Sequence, residues 1–271
     1  MQHQKIIFSN NIAKELGKII DSITHNKLFI LSDENSGKYA LPLIGDEICN
    51  KANVITIPAG DANKNLETLS FVWSELQKGG ATRNSLMINL GGGVVTDLGG
   101  FAATTFKRGI RFINVPTTLL SAVDAAVGGK TGINFNGLKN EIGAFREADA
   151  VLIATAFLKT LPENEIKSGY AEMLKHGLLS NYKSYRKLIE YNISELSEDR
   201  LLTLLEESVG VKRNIVEQDP FEKGLRKALN LGHTAGHAFE SMALKNGKPI
   251  PHGYAVAWGL IVEMILSKLI K

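Results

Sequence analysis

The first 150 residues repeat one pattern, a short apolar run followed by a segment with helical spacing of its apolar residues. Residues 27–31, 53–57, 86–90 and 111–115 are such runs, and helical patterns follow after Ser36, over 65–77, after Gly93 and after Pro116. Strands that alternate with helices predict a parallel sheet with both faces covered. Beyond about residue 150 the strand signals fade. Helical periodicity takes over at 166–179, 185–193, 200–216 and 235–244. The pattern predicts an α/β domain over 1–153 and an all-α domain over 154–271, with the boundary near 151–157. Residues 265–271 look like a helix still in progress, without cap, glycine or proline, and the chain is expected to be truncated.

Bulk composition excludes several classes. The chain has 271 residues, 44% hydrophobic and 22% charged, as in a globular protein with a full core. A net charge of +3 is too mild to argue for nucleic acid or a membrane surface. The single cysteine, Cys49, allows no internal disulfide and is expected to be a small buried residue. The N-terminus lacks the features of a signal peptide, and no uncharged apolar run has membrane-spanning length. A cytoplasmic protein is the expectation.

Gly91-Gly92-Gly93 follows an apolar strand and opens a helix. Glycines there let backbone N–H groups approach a phosphate, and the helix N-terminus supplies positive potential. The turn differs from the G-x-G-x-x-G fingerprint because Thr96 takes the last place. Asp33 closes an earlier strand. An acid there can accept from ribose hydroxyls, and it is equally a favoured helix N-cap. Asp61 with Lys64, and Thr117 with Thr118, hold comparable places on other strand-to-helix turns. Several such turns at one sheet edge would form a nucleotide crevice. Lys130 and Lys139-Asn140 lie among glycines, Lys175 follows Glu172 by three residues, and Lys212 and Arg226 fall in the helical part. Cations among glycines and beside acids suggest anion recognition.

Three of the six histidines crowd into twenty residues: His233, His237 and His252. His233 and His237 are four apart, and Glu240 follows His237 by three, so all three can share a helix face. Glu172 and His176 form a second pair at the same spacing. Such spacing suits a metal or catalytic site. Spacing alone does not choose between the two pairs.

The ordered set of motifs resembles the 3-dehydroquinate synthase family of sugar phosphate cyclases. It comprises Gly-Gly-Gly-Val-Val-Thr-Asp at 91–97, Arg-Gly at 108–109, Pro-Thr-Thr-Leu-Leu at 116–120, Val-Gly-Gly-Lys-Thr-Gly at 127–132, Lys-Asn at 139–140, Ala-Glu-x-x-Lys at 171–175, Leu-Asn-x-Gly-His-Thr-x-Gly-His-Ala at 229–238 and His-Gly at 252–253. The resemblance implies a Rossmann-like NAD domain, a helical metal domain and a homodimer. It implies Glu172, His233 and His252 as ligands of a divalent metal, zinc with cobalt as the alternative, and makes His237 a hydrogen-bonding residue. The implied reaction converts 3-deoxy-arabino-heptulosonate 7-phosphate to 3-dehydroquinate and phosphate. By the same resemblance Lys130, Asn140, Asn230 and His237 surround the phosphate, Lys212 and Arg226 face the carboxylate, and Arg108 extends toward a neighbouring subunit. Lys139 and Lys175 complete the cationic cluster, and Asp124 and Glu222 match active-site acids. Asp33, Asp61, Lys64, Gly92, Gly93, Asp97, Thr117 and Thr118, with Lys130 and Lys139, match cofactor positions.

Three departures from the family pattern stand out: no serine in Asp124-Ala125-Ala126, Asp61 in place of Glu, and Asn164 in place of Arg. The alternatives are a sedoheptulose 7-phosphate cyclase, a polyol dehydrogenase that releases NADH, and a non-catalytic nucleotide-binding relative. The expected partner is a small anionic sugar phosphate, with neither nucleic acid nor membrane.

Overall fold

A computed structural model describes residues 4–193 and 197–269. The chain divides into two compact units, Met1–Thr160 and Leu161–Lys271.

The first unit contains strands β1 (Lys5–Phe8), β2 (Leu28–Asp33), β3 (Ala52–Ile57), β4 (Leu86–Gly91), β5 (Arg111–Pro116), β6 (Lys130–Phe135), β7 (Leu138–Phe145) and β8 (Ala150–Ile153). Its α-helices are α1 (Ile12–Asp21), α2 (Glu34–Tyr39), α3 (Asp46–Lys51), α4 (Leu66–Lys78) and α5 (Gly93–Thr105). Six strands form one parallel sheet in the order β1-β8-β5-β4-β2-β3. Alternation along β2 divides the core. Leu28 and Ile30 join the cluster that takes in α1 through Ile12, Leu16, Ile19 and Ile20. Phe29 and Leu31 join the cluster built on α4 and α5. Each such buried side chain contributes about 1.5–3 kcal/mol.

The parallel sheet and four of its strands match the sequence expectation, and α4 begins one residue after the expected start, capped by Asn65, which accepts from Thr68 N. Four strands escaped the periodicity reading. β1 and β8 are four residues long, too short for a pattern to declare itself. β6 and β7 form a separate antiparallel hairpin around Asn136 (φ 49°) and Gly137 (φ 79°). Asn-Gly is the residue pair that such a turn demands, so the signal was present in the sequence. Two helix starts also differ. α2 begins at Glu34, before Ser36, because Asp33 Oδ1 accepts from Ser36 N at 2.7 Å and Ser36 Oγ accepts in return from Asp33 N. After Pro116 the expected helix is short, 119–125, and is π-helical over Ser121–Ala125. Cys49 is half-buried rather than buried, its Sγ directed at the Leu41 carbonyl.

The second unit contains α6 (Glu163–Ser180), α7 (Tyr182–Glu190), α8 (Glu198–Gln218), α9 (His233–Lys245) and α10 (His252–Leu269). All the expected helices are present. α10 extends the amphipathic reading of the last segment as far as Leu269, and Ile270 and Lys271 lie outside the described residues. No helix among the described residues is long and apolar enough to cross a membrane.

Two helix crossings of this unit rest on glycine. A Cβ at Gly253 would lie 1.8 Å from the Ser168 carbonyl oxygen, so the start of α10 sits directly on α6. The contact is completed by Gly253 N, which donates to Ser168 Oγ. A Cβ at Gly259 would lie 1.9 Å from the Gly232 carbonyl oxygen, and one at Gly236 would lie 3.0 Å from that of Ala255, so α9 and α10 also meet backbone to backbone.

Candidate metal centre and cofactor crevice

Glu172 on α6, His233 at the start of α9 and His252 at the start of α10 each offer one donor atom, and the three atoms lie within 4.8 Å of one another. Glu172 Oε1 is 3.7 Å from His233 Nε2 and 3.6 Å from His252 Nε2. Ligands at zinc bonding distance and tetrahedral angles lie about 3.4 Å apart, so this donor set fits a divalent cation with little movement. The other Glu172 oxygen, Oε2, pairs with Lys175 Nζ at 2.5 Å, and both side chains are buried. The i,i+3 spacing on α6 thus divides the carboxylate, one oxygen to the ammonium and the other toward the imidazoles.

Each histidine has a partner at its second nitrogen. His233 Nδ1 lies 3.2 Å from the Leu231 carbonyl and His252 Nδ1 lies 3.3 Å from Glu240 Oε2. Both acceptors require the proton on Nδ1, which leaves Nε2 as the electron-pair donor. Burial pushes the His233 pKa down, against the pull of Glu172, and so favours the neutral ligand form. Burial acts in the same sense on His252, but hydrogen bonding and charge from Glu172 and Glu240 outweigh it and raise that pKa to about 9.

His237 shares the α9 face, its ring centroid 5.4 Å from that of His233 and 6.0 Å from that of His252. His176, of the alternative pair, is buried with Nδ1 2.9 Å from Ser208 Oγ. Asn230 Nδ2 donates to Glu222 Oε1 at 3.0 Å. These two also line an open cleft of about 730 Å³ with Phe221, Lys227 and Glu263. None of the three metal candidates lines it, so cleft size is a poor guide to the chemistry here. Lys212 is buried on α8. Arg226 is 2% exposed, and its Nη1 donates to the Pro220 carbonyl at 2.7 Å.

Glu263 played no part in the functional reading of the sequence. It stands on α10 and accepts from Gly232 N at 2.8 Å and from Ala235 N at 3.3 Å. The N-cap residue of α9, Gly232, has no side chain to do this. Glu263 therefore caps α9 from a neighbouring helix and steadies the turn that carries His233. Its only sequence signal is an acid inside an apolar helical run.

In the first unit, the chain passes from β2 outward to β3 and then returns to β4 on the other side of β2. That reversal is a topological switch point, where the carboxyl ends of adjacent strands open a crevice. Asp33 ends β2 and Gly91 ends β4 there. Gly92 is the N-cap of α5 and has no side chain with which to cap it. None of the three glycines has positive φ; closeness is what selects them. A Cβ on Gly91 would lie 2.5 Å from Val95 Cγ2, and one on Gly92 would lie 3.1 Å from Thr118 Cγ2. Thr117 N donates to Gly91 O, which ties the β5 turn to the glycine turn. Lys64, buried, pairs with Asp97 and donates to Asn140 Oδ1 at 2.5 Å, so residues from three separate motifs meet at one ammonium. Lys139 Nζ is 3.6 Å from Asp61 Oδ2 on an exposed face. Lys130 opens β6 and is exposed, and Asp124 is half-buried in the π-helical segment. Arg108 is exposed and, with Lys107, has positive φ, a costly backbone for non-glycine residues.

The chain matches two family models, 3-dehydroquinate synthase N-terminal over residues 54–168 and 3-dehydroquinate synthase C-terminal over residues 169–271. It is 50% identical over 268 residues to a 3-dehydroquinate synthase of Parabacteroides distasonis, covering 98% of this chain and 76% of the relative. It is 38% identical over 264 residues to the enzyme of the same name from Streptococcus pyogenes serotype M5, covering 97% and 73%. Among solved structures it is similar to 2-deoxy-scyllo-inosose synthase complexed with carbaglucose-6-phosphate, NAD+ and Co2+ (TM-score 0.85, 25% identity, 94% of this chain and 71% of that one). A 2-epi-5-epi-valiolone synthase from Streptomyces hygroscopicus with NAD+ and Zn2+ bound shares the fold (TM-score 0.79, 24% identity, 96% and 73%).

Proposed function

This chain belongs to the 3-dehydroquinate synthase family and has that family's activity, and on that premise we propose which of its residues bind the cofactors and substrate. Glu172, His233 and His252 hold one divalent cation, zinc with cobalt as the alternative. The observation that carries this is the convergence of three donor atoms, from three helices, within 4.8 Å. Three protein ligands leave a coordination position for substrate, and a cation so held polarises and acidifies substrate hydroxyls. Lys175 holds the second Glu172 oxygen, so the carboxylate presents one oxygen to the imidazoles.

NAD occupies the switch-point crevice, with ribose hydroxyls at Asp33 and the pyrophosphate at Gly92, Gly93 and the start of α5. It supplies a hydride acceptor that is restored within each turnover. Asp61, Lys64, Asp97, Thr117, Thr118, Lys130 and Lys139 line the remainder. The substrate is 3-deoxy-arabino-heptulosonate 7-phosphate, whose phosphate and carboxylate match the cations Lys130, Lys139, Lys175, Lys212 and Arg226, with Asn140, Asn230, His237, Asp124 and Glu222 as polar partners. A cytoplasmic homodimer, with Arg108 extended to the neighbouring subunit, belongs to the same reading.

One observation favours a second assignment for one residue. Arg226 is buried and bonded to the Pro220 carbonyl, as a structural arginine would be, and a carboxylate-free sedoheptulose 7-phosphate would then be the natural competitor. Phosphate release from the heptulosonate phosphate, with and without NAD and zinc, tests the main reading. Activity that needs neither addition in cofactor-stripped protein would overturn it.

A further inference from the structure

His252 stands between two carboxylates, one at each ring nitrogen. Nε2 is 3.6 Å from Glu172 Oε1, and Nδ1 is 3.3 Å from Glu240 Oε2. Glu240 follows His233 by seven residues and His237 by three, so it continues the same face of α9. Its side chain is 12% exposed, and a carboxylate so withdrawn from water needs a specific partner.

A neutral imidazole has one proton and one donor lone pair. When Nε2 serves a cation, the proton must sit on Nδ1, and Glu240 Oε2 is placed to accept it. Such a bond fixes the ring's tautomer and plane and makes the ligating nitrogen more basic. A competing role exists, because His237, Glu240 and His252 are themselves close enough to hold an ion. That would take the lone pair of Nδ1 while Nε2 gives its own to the first ion. The ring would have to lose both protons, so the hydrogen bond is the better use of the pair.

We propose that Glu240 is the positioning residue of His252, accepting its Nδ1 proton and so presenting Nε2 to the cation. The role rests on the metal reading above. His233 has a corresponding bond to its own Leu231 carbonyl. His252 opens α10, and the acceptor at its Nδ1 comes from α9.

The test compares zinc affinity, by competition with a chromophoric chelator, in the wild type and in H252A, E240A, E240Q and H237A. Melting temperature serves as the control for folding. E240A is expected to weaken zinc binding about 10- to 100-fold, the usual effect of removing an outer partner of a ligating histidine. E240Q keeps an oxygen acceptor of nearly the same shape and is expected to lose less. In ¹⁵N-histidine spectra of the zinc-loaded wild type, His252 should bind through Nε2 with a proton on Nδ1. Wild-type affinity in E240A, equal losses in E240A and E240Q, or coordination through Nδ1 would each overturn the proposal. So would two zinc ions per chain falling to one in E240Q and H237A. Undiminished zinc binding in H252A would instead sink the ligand assignment itself, and the role of Glu240 with it. A failure of E240A to fold leaves the E240Q titration and the wild-type spectrum to decide.

Discussion

In the α/β unit the glycine turn after β4 takes its place from the sheet, whereas in the helical unit the candidate metal donors take theirs from glycines that let helices touch. The first arrangement is made largely of backbone. A change in strand order opens a crevice, and loops at the strand ends supply Asp33, Lys64 and Thr117. The second is made of side chains on α6, α9 and α10. Their donors converge because Gly253 rests on Ser168 and Gly259 rests on Gly232 with no room for a methyl group. Outside its close-packed glycine turn, a crevice that belongs to a sheet should tolerate side-chain change, and a cluster that depends on helix contact should not.

The comparison is most easily broken at Gly253. A Cβ 1.8 Å from the Ser168 carbonyl must push α10 off α6, so Gly253→Ala should cost about 3 kcal/mol of stability or more and abolish stoichiometric zinc binding. Thermal melting and metal analysis check this, and an alanine variant with normal zinc affinity would show that the crossing is not what positions His252. Next in size are His233→Ala and His252→Ala. Each should lower metal affinity by more than the ~100-fold upper range of an outer-shell change. Full metal occupancy in both, measured by elemental analysis, would remove the assignment.

The helical site should also respond to pH. His252 has its folded pKa raised to about 9, from 6.5. Its charged form therefore stabilises the metal-free chain fully below the unfolded pKa, and that contribution is lost as pH rises through about 9. A cation needs the neutral ring, so zinc affinity should rise about tenfold per pH unit over the same interval, one proton leaving for each ion bound. Titrations in buffers of different ionisation heat count that proton. A flat profile between pH 6.5 and 9 would mean that the two carboxylates do not control this ring.

Smaller effects are expected at the caps. Asp33 is both the cap of α2 and the proposed ribose acceptor. Asp33→Asn retains a good cap, whereas Asp33→Ala should cost about 1 kcal/mol. Both should narrow the preference for NAD over NADP by removing the charge that repels a 2′-phosphate. If the preference for NAD survives in both, Asp33 acts only as a cap. Glu263→Ala should cost about 0.5–2 kcal/mol through the lost cap of α9, with a modest loss of zinc affinity because His233 is the first residue of that helix. An unchanged melting temperature would show that water replaces the carboxylate.

Much of this was legible in the chain because it is local. Apolar runs of five residues declare strands, and Asn65 four residues before Leu69 declares a helix start. The four-residue spacing of His233 and His237 declares a shared face. The choice of Glu172, His233 and His252 over His176 came from the order of family motifs, and spacing had left it open. The hairpin of β6 and β7 was written in Asn136-Gly137, but charged residues and glycines interrupt the apolar run in both of its strands.

Sequence by itself determined the parallel α/β character of the first unit, the helices of the second and the family, since each follows from local periodicity or from motif order. Only the tertiary structure decided that Glu172 divides its oxygens between Lys175 and two imidazoles, that Glu240 faces His252, and that Glu263 caps a helix not its own. These contacts join residues that lie 3 to 80 positions apart. Helical spacing puts a residue on a face, but which faces meet, and how closely, depends on where a glycine leaves room for another backbone.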